Sequence, residues 1–322
     1  MINKSYCHNV SAVLVTYNPE MEALCAAIQA VSTQVSDIFI VDNASSNFSL
    51  EWLGEFKGQA AARLHLLPQK ENLGIAAAQN AGIEQAMKLG ADFVLLLDQD
   101  SVPSACMVTE LLTAITSTQS NPGKHIPVAA VGPVIVDRRT GKSYYFMTNR
   151  KGFPHKWMPP MDNKTILKPF EVAILVASGT LISIEALKHI GVMRSNYFIN
   201  HVDTEWCLRA KAAGYNLLGV PTSTLEHQFG DAVKQVWFFG FRQVIYHSPL
   251  RNYYDIRNTL LMLRDTTMSA AWKLHFISRL VRLGYFLLFA EERRLRLRYM
   301  TLGFLHAMKG VSGRFEPKIS KY

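Results

Sequence analysis

The amino-acid sequence predicts an α/β fold with a mostly parallel sheet flanked by helices. Within the first hundred residues, four short runs rich in Val, Ile and Leu have the composition of strands buried on both faces. The segments 20–34 and 74–89 carry apolar residues at helical spacing, and Gly90 stands where the second helix would end. Alternating strands and helices build parallel sheets, whose ligands bind at the carboxyl ends of the strands. The four runs are VSAVLVT (10–16), DIFIV (37–41), RLHLL (63–67) and DFVLLL (92–97).

The rest of the chain predicts more mixed structure and then a helical end. The polar, Pro-rich stretch 137–170 is expected to form a long loop over the site. From about residue 235 the sequence becomes helical, aromatic and basic in character. The other predicted elements are a helix over 103–117, strands at 128–136, 172–183 and 217–220, and a helix from Asp203 that ends at Gly214.

The composition is that of a globular protein. The 322 residues, of which 49% are hydrophobic, are enough for one large core or two modest ones. The four cysteines lack C-x-x-C spacing, so neither a zinc site nor a disulfide framework is favoured, which fits a reducing compartment. No signal peptide is predicted, and the apolar stretch 283–290 is too short to span a bilayer. We therefore expect a cytoplasmic protein.

The net charge of +9 is unevenly distributed. Residues 1–100 are acidic overall, whereas the last fifty residues hold 11 basic and 3 acidic groups. A basic end rich in Leu, Phe and Tyr predicts partners with anionic lipid or phosphate groups. Nucleic acid is the competing partner, but the sequence contains no recognised nucleic-acid-binding module, so we expect none.

The segment 272–300 predicts an amphipathic helix that lies peripherally on an anionic membrane surface. The residues His275, Arg279 and Arg282 share one helical face, and four arginines follow in a dense cluster. The alternative is a helix that packs its apolar face on the rest of the chain or on a second subunit; the oligomeric state stays open. The apolar face holds Ile277, Leu280, Val281, Leu287 and Leu288, and the cluster is Arg293, Arg294, Arg296 and Arg298.

Two carboxylates follow the fourth predicted strand, in the sequence Asp98-Gln99-Asp100. Residues two apart at the tip of a buried strand can point into the same crevice, where they suit a hard cation such as Mg²⁺ or Mn²⁺. Such an ion bridges diphosphate oxygens and offsets the charge of a departing diphosphate. The alternative is a solvated turn after the strand.

Other polar residues are predicted at the same edge of the sheet. Thr16 ends the first strand, Asp42 ends the second, and Asn72 and Asn80 lie in and after the turn before the helix at 74–89. Small residues in that turn let a ligand approach the backbone. The alternatives are a loop cap for Asp42, a helix cap for Asn72 and a helix-face amide for Asn80.

The segments VTYNP, VDNAS, ENLGIAAAQNAG and LLLDQD, in this order and spacing, resemble the inverting family 2 glycosyltransferases of the Rossmann-like GT-A fold. The resemblance covers roughly residues 9–260. Within that family the chain most resembles bacterial rhamnosyltransferases, which use dTDP-L-rhamnose and build O-antigen or similar cell-surface polysaccharide. The resemblance to the family continues through SGTLIS (178–183), HVDTEWCLRAKAAGY (201–215) and RNYYDIRN (251–258).

The resemblance implies a nucleoside diphosphate sugar donor, a divalent metal ion and a polyprenyl-linked or oligosaccharide acceptor. By position, Thr16 and Asp42 would meet the nucleobase region, and Asn72 and Asn80 the nucleoside side of the pocket. It also implies that Asp98 lies near the ribose and the diphosphate–metal cluster, and that Asp100 binds the metal directly.

Asp203 keeps the position of the family's catalytic base. The family pattern is roughly E-D-x-D-W, whereas this chain has Val202-Asp203-Thr204-Glu205-Trp206. The role is chemically sound, because a carboxylate within hydrogen-bond reach can take the proton from an attacking hydroxyl. The alternative to a catalytic role, for both Asp203 and Glu205, is a structural one: a negative charge near the start of a helix complements the helix dipole.

Four later residues are candidates for contact with donor or acceptor phosphates. His227 follows the last predicted strand, and Arg251, Tyr254 and Arg257 recur at helical spacing. The alternatives are a loop histidine bound by backbone and an ordinary amphipathic helix with a solvated basic face.

These patterns divide the chain into a catalytic domain, 1–230, and a helical basic region, 231–322. The catalytic part would comprise a nucleotide-binding half, 1–100, and an acceptor half, 101–230.

A UDP-sugar-dependent hexosyltransferase of the same fold and a non-catalytic nucleotide-sugar or carbohydrate-binding module are the alternative functions. A processive synthase is disfavoured because Q-x-x-R-W and membrane spans are missing, and a pyrophosphorylase because its Gly-rich first loop is missing.

Overall fold

The computed structural model describes residues 8–47, 60–119, 126–159, 168–228, 232–237 and 241–316. The elements are β1 (Val10–Thr16), α1 (Met21–Ser32), β2 (Asp37–Asp42), β3 (Arg63–Pro68), α2 (Ile75–Lys88), β4 (Phe93–Asp98), β5 (Val102–Pro103), α3 (Met107–Gln119), β6 (Val128–Asp137), β7 (Phe146–Arg150), β8 (Phe153–Trp157), β9 (Phe170–Val172), β10 (Leu181–Ser183), α4 (Ile184–Ile190), α5 (Val202–Ala212), β11 (Asn216–His227), β12 (Ala232–Trp237), β13 (Phe241–Tyr246), α6 (Pro249–Asp265), α7 (Ala270–Leu287) and α8 (Arg293–Met308).

A nine-stranded sheet organises the molecule, in the order β3-β2-β1-β4-β10-β6-β11-β5, with β9 also paired to β11. The strands β3, β2, β1 and β4 are mutually parallel, as predicted. Thr16 is in register with Asp42, and Val15 with Asp98, so the polar ends of three strands meet at one edge. The short strand β10 is antiparallel to both of its neighbours, whereas β6 and β11 run parallel.

Side chains of the central strands alternate between two hydrophobic cores, one on each face of the sheet. Val13 and Val15 of β1 belong to the core that packs under α2, whereas Ala12 and Leu14 belong to the core that packs under α1 and α3. Because both faces are covered, these strands are apolar at nearly every position. The predicted α/β architecture with helices on both faces is therefore confirmed.

Several predicted boundaries in the middle of the chain are wrong. The helix expected from residue 103 begins at Met107, because Pro103 lies in β5 and pairs with Leu225. The stretch predicted as one strand over 172–183 forms the last residue of β9, a connecting segment and the whole of β10, and the strand at 217–220 is part of the longer β11. The stretch predicted as a loop over 137–170 contains the hairpin β7–β8, whose turn residues Lys151 and Gly152 have positive φ; residues 160–167 lie outside the described part.

The region predicted to be helical from residue 235 begins with a hairpin, β12–β13, before α6, α7 and α8. The crossing of α6 and α8 is close, since a Cβ added at Gly303 would lie 2.5 Å from the carbonyl oxygen of Tyr253. After α8 the chain returns to the segment before α5, where the amide of Gly313 donates to the Asn196 carbonyl. Among the described residues, no helix is long and apolar enough to cross a bilayer. The boundary at residue 230 stays a prediction.

Candidate active site

The ends of β1 and β2 are joined by a buried hydrogen bond. Thr16 Oγ1 donates to Asp42 Oδ1 over 2.8 Å, and the backbone amide of Ser45 donates to Asp42 Oδ2 over 2.9 Å. These contacts fix the Asp42 carboxylate and give it the loop-capping role that was one of its two expected roles. Contact of Thr16 or Asp42 with a nucleobase stays a prediction.

The middle residue of Asp98-Gln99-Asp100 ties this motif to β1. Gln99 Oε1 accepts from the backbone amide of Tyr17 over 2.8 Å. Because the tips of β1 and β4 are held together in this way, the two aspartates leave the sheet beside the Thr16–Asp42 pair.

The loop before α2 is held by side-chain amides. Asn43, buried at the end of β2, accepts from the Leu73 amide over 3.1 Å and donates to the Gly74 carbonyl. Asn72 accepts from the Gly74 amide over 2.9 Å, forming a turn, whereas Gly74 itself is the N-cap of α2, so the expected cap by Asn72 is wrong. Gly74 has φ +86°, and a Cβ there would lie 2.4 Å from the Phe198 carbonyl oxygen, so only glycine fits. The donor contact of Asn72 stays a prediction.

Asn80 clamps α2 to a loop far away in sequence. Its Nδ2 donates to the Met193 carbonyl over 2.8 Å, and its Oδ1 accepts from the Met193 amide over 3.0 Å. Both ends of the amide are therefore engaged with backbone, which is a structural role, and a contact with the donor stays a prediction.

The aspartates of β4 meet His227 because β5 pairs with the end of β11. This pairing places Leu225 opposite Pro103 and brings the loop from β4 beside His227. The Asp100 carboxylate lies 3.2 Å from His227 Nδ1, and Asp98 lies 3.8 Å from Nε2. The sequence therefore pointed to three residues that the structure brings together.

Two serines complete this cluster, and the sequence pattern had not singled them out. Ser178 Oγ donates to Ser101 Oγ over 2.7 Å and accepts from the Asp98 amide over 3.1 Å. Ser101 Oγ lies 2.9 Å from His227 Nδ1. The only sequence signal was position: Ser101 directly follows the aspartates, and Ser178 begins SGTLIS.

The electrostatics of the cluster are those of several carboxylates around one imidazole. Burial raises the pKa of Asp98; the charge of His227 opposes the shift, and the negative charges of Asp100 and Asp203 add to it. Burial lowers the pKa of His227, but the hydrogen bond to Asp100 and the charges of Asp98, Asp100 and Asp137 outweigh burial, so its pKa is raised.

This donor set fits a divalent cation that arrives with a diphosphate. Among the described residues, no group of three or more His, Cys, Asp or Glu side chains is arranged as a ready-made metal site. Mg²⁺, however, usually binds through one or two carboxylates while substrate phosphates and water complete its coordination. The carboxylates of Asp98 and Asp100 would supply such hard oxygen ligands, and the His227 imidazole would suit Mn²⁺ as a further ligand.

Asp203 is the second residue of α5, and its negative charge acts on Asp98 of this cluster. Its Oδ1 accepts from the Thr204 amide over 2.6 Å, and its Oδ2 accepts from the Ala177 amide over 3.3 Å. Burial raises the pKa of Asp203, although these hydrogen bonds oppose the shift. A fixed carboxylate with a raised pKa is suited to accept a proton from a substrate hydroxyl.

Glu205, two residues on, is an ion-pair partner in the interior of the protein. It is 0% exposed, it pairs with Arg194 at 2.8 Å and Arg209 at 2.9 Å, and it accepts from the Thr266 hydroxyl. The structure therefore gives Glu205 a structural role as the partner of two arginines, in the first turn of α5 where the alternative expectation had placed a charge that complements the helix dipole.

Three of the expected phosphate-binding residues lie on α6, in different environments. Arg251 donates to Asn200 Oδ1 over 3.0 Å, and its positive charge partly offsets the rise in the pKa of Asp98. Tyr254 is buried, with its hydroxyl accepting from the Phe315 amide. Arg257 is 0% exposed and donates to Asn258 Oδ1, to the Tyr253 hydroxyl and to the carbonyls of Gly313 and Tyr197.

The prediction that Tyr254 and Arg257 contact a phosphate does not agree with this placement. Both side chains are buried against the C-terminal segment 313–315 and hold it in position. For Arg251 and His227, a phosphate contact stays a prediction.

A cavity of about 850 Å³ opens beside Asp203. One of its walls is formed by α7, whose basic residues His275, Arg279 and Arg282 line it. Arg279 and Arg282 are exposed as well as lining the cavity, so contact of this basic face with a membrane surface stays a prediction. Sequence periodicity grouped the three residues correctly, and the packing of α7 places them along the cavity.

Comparisons with known proteins agree with this geometry. The description of the matching family model is "Glycosyl transferase family 2", and it matches residues 11–191. The chain is 31% identical to the dTDP-rhamnosyl transferase RfbF of Shigella flexneri over 95% of this chain and 96% of that protein. It is 19% identical to the low-salt glycan biosynthesis hexosyltransferase Agl10 of Haloferax volcanii, over 97% of this chain and 94% of that protein.

Solved structures share the fold at low sequence identity. The S. aureus TarS 1–349 complex with UDP-GlcNAc has a TM-score of 0.53 at 15% identity, covering 93% of this chain and 81% of that one. GalNAc-T7 with UDP, GalNAc and Mn²⁺ has a TM-score of 0.55 at 15% identity, covering 70% of this chain and 44% of that one. These neighbours are GT-A glycosyltransferases. The chain therefore belongs to glycosyl transferase family 2, and it is a glycosyltransferase with the GT-A fold that uses a nucleotide-sugar donor.

Proposed function

We propose that the protein transfers a single L-rhamnosyl group from dTDP-L-rhamnose, with inversion, onto a lipid-linked or oligosaccharide acceptor in cell-surface polysaccharide (O-antigen) biosynthesis. The observation that carries the proposal is the placement of the Asp98–Asp100–His227 cluster and the Asp203 carboxylate at one edge of the sheet. The rhamnosyl donor is supported by the relative whose name specifies it and whose length the chain matches almost completely.

The leaving group would be bound by the aspartate cluster. A Mg²⁺ or Mn²⁺ ion held by Asp98 and Asp100 would neutralise charge on the departing diphosphate. His227, whose pKa is raised by the surrounding carboxylates, and Arg251 add positive charge on the same side. The chain's own contribution is thus a fixed set of charges aimed at the diphosphate.

The acceptor would be activated by Asp203. Its carboxylate takes the proton of the acceptor hydroxyl while that oxygen bonds to the anomeric carbon and the bond from this carbon to the diphosphate oxygen breaks. Attack opposite the leaving group inverts the anomeric centre and needs no covalent enzyme intermediate. The backbone amides of Ala177 and Thr204 keep the carboxylate pointed at the cavity where the acceptor binds.

The proposed location is peripheral, at the cytoplasmic face of the membrane. The outer face of α7 is apolar, with Leu274 63% and Val281 69% exposed, and the basic residues Arg293, Arg294 and Arg298 of α8 are exposed as well. Exposed apolar residues beside cations have the composition of a surface that lies in the headgroup layer of an anionic membrane.

Donor selectivity is the most direct test. Thermal unfolding of the purified protein would be followed with dTDP-L-rhamnose, UDP-sugars and GDP-sugars in the presence of Mn²⁺, since a ligand at 100 times its Kd stabilises by about 2.7 kcal/mol. Stabilisation by dTDP-L-rhamnose, with release of dTDP that needs Mn²⁺, is the expected result. Stabilisation by UDP-sugars alone would instead identify a UDP-sugar hexosyltransferase, and binding without turnover would identify a non-catalytic module.

A further inference from the structure

The cavity beside Asp203 is lined by several basic side chains that have no role in the proposed reaction. Asp203 lines it, and so do His275, Arg279 and Arg282 of α7 together with Lys156 of β8. The basic face of α7 therefore faces the same space as the carboxylate that activates the acceptor.

Contacts on both sides fix α7 in this orientation. Trp272 Nε1 donates to Asn149 Oδ1 over 2.9 Å, which ties the helix to the β7–β8 hairpin. Arg279 donates to Asp255 over 3.1 Å, which ties the helix to α6. The direction of the basic face thus follows from anchored packing.

Positive charge in this cavity exceeds the negative charge available to pair with it. Arg279 is paired with Asp255, and Asp137, which also lines the cavity, is paired with Arg139 at 3.0 Å. Arg282 has no hydrogen-bond or ion-pair partner within the described part of the chain, and the Lys156 ammonium lies 4.1 Å from the Tyr145 ring centroid. Burial, and then the charges of Arg282, Arg279 and Lys156, lower the pKa of His275, in agreement with the placement of these residues along one cavity.

We propose that Lys156, Arg279 and Arg282 form a subsite for a phosphate group carried by the acceptor. This inference rests on the proposed function, because it assigns the acceptor to the cavity that Asp203 lines. Guanidinium groups bind phosphate oxygens through two parallel hydrogen bonds, so two arginines on one helical face suit such a group. Leu283, Leu287 and Phe289 line the same cavity, next to the cations, and can cover a hydrocarbon chain that extends from the phosphate.

The subsite can be tested with small probes after the donor site has been saturated with dTDP and Mn²⁺. Isothermal titration would measure binding of octyl phosphate, glycerol 3-phosphate and the neutral octyl glucoside to the full chain. The variants are Arg282→Gln and Lys156→Gln, and the control is Arg298→Gln, which removes an exposed arginine of α8 outside the cavity. Retained dTDP binding shows in each case that the variant is folded.

The expected result is that octyl phosphate binds and octyl glucoside does not. The two cavity variants should weaken octyl phosphate binding about tenfold, as is usual for the loss of a hydrogen bond to a charged group, and the control should not change it. Tighter binding of octyl phosphate than of glycerol 3-phosphate supports a lipid-borne phosphate, and equal binding supports a soluble phosphorylated acceptor. Equal affinities in Arg282→Gln and Arg298→Gln would overturn the subsite, and normal dTDP binding in the same samples would leave the proposed function standing.

Discussion

Asp100 Oδ1 lies 3.2 Å from His227 Nδ1, although the two residues are far apart in the sequence. Ser101, the residue after Asp100, precedes His227 by 126 positions. The pairing of β5 with the end of β11 produces this contact and adds an imidazole to the two carboxylates of β4. The arrangement concentrates negative charge where a cation and a diphosphate would bind, with one basic group beside it.

Removing the carboxylate of either Asp98 or Asp100 should therefore abolish glycosyl transfer. We expect Asp98→Asn and Asp100→Asn to lower the rate about a hundredfold or more, because a bound metal supplies several kcal/mol of charge stabilisation. Initial rates with varied Mn²⁺ measure this, with Glu84→Gln, an exposed carboxylate on α2, as the matched control. A wild-type rate that is unchanged in EDTA would show that no metal takes part.

Asp203→Asn should separate binding from chemistry. The amide keeps the shape of the carboxylate and loses its basicity, so we expect donor affinity to be retained and kcat to fall by about 10²–10⁴-fold. In the unaltered protein the raised pKa of Asp203 predicts a rate that rises with pH and levels off once this carboxyl is ionised. A fall in donor affinity with kcat nearly unchanged would mean that the base is another residue.

Glu205→Gln should act on stability instead. Glu205 is fully buried between Arg194 and Arg209, so its neutral amide would leave two guanidinium groups without their counter-charge. We expect a loss of about 3–5 kcal/mol in the free energy of unfolding, the usual cost of breaking a buried ion pair. Urea unfolding measures it, and Asp203→Asn is the matched control because the two carboxyls stand two residues apart. Equal stability of the two variants would contradict the structural role.

The sheet and its polar edge could be predicted from sequence because local pattern determines them. The strand β1 is apolar at both of its buried faces, and Thr16, Asp42 and Asp98 each stand at the last position of a parallel strand. Parallel pairing then places them together without any further information. For the same reason Gly90 and Gly214, both with positive φ, correctly marked the ends of helices.

Contacts between distant segments could not be predicted in this way. The strand β5 has only two residues and includes a proline, so no hydrophobic pattern in the sequence predicts it. Its pairing with β11 nevertheless places His227 beside Asp100. The side chains of Asn80 and Arg257 are polar on helices that appeared solvated, but their partners are backbone atoms 113 and 56 residues away. Helical spacing likewise grouped His275, Arg279 and Arg282 correctly without revealing that the contacts of Trp272 and Asp255 place this face along the cavity.

His201 should make the fold less stable as the pH falls. It is buried at the start of α5, with Nε2 2.9 Å from the Thr259 hydroxyl, and burial together with the charge of Arg279 holds its pKa well below 6.5. Below pH 6.5 the imidazole of His201 is protonated in the unfolded chain but stays neutral in the folded chain. The free energy of unfolding therefore decreases as the pH falls below 6.5.

Replacement by asparagine, which tolerates the φ of +61° at this position, should reduce that dependence. We expect the slope of unfolding free energy against pH to become shallower in His201→Asn by up to about 1.4 kcal/mol per pH unit. The exposed His189→Gln is the control and should keep the original slope. Parallel curves for His201→Asn and the unaltered protein would show that another group causes the acid sensitivity.

The last prediction concerns the outer face of α7, where Leu274, Ile277 and Val281 are exposed one helical turn apart. We expect membrane contact to use these apolar residues together with the exposed arginines of α8. We expect the protein to float with anionic vesicles and not with neutral ones, and high salt should release it, since each basic residue near an anionic surface contributes about 1 kcal/mol.

Two variants separate the parts of this surface. The double variant Leu274→Gln, Val281→Gln should weaken flotation by removing apolar burial, and Arg294→Gln, Arg298→Gln should weaken it by removing charge. Arg282→Gln, on the face of α7 that lines the cavity, is the control and should float normally, because its side chain is not part of the apolar outer face. Failure to float with either lipid, together with a dimer in solution that dissociates in the leucine–valine variant, would instead show that this apolar face binds a second copy of the chain.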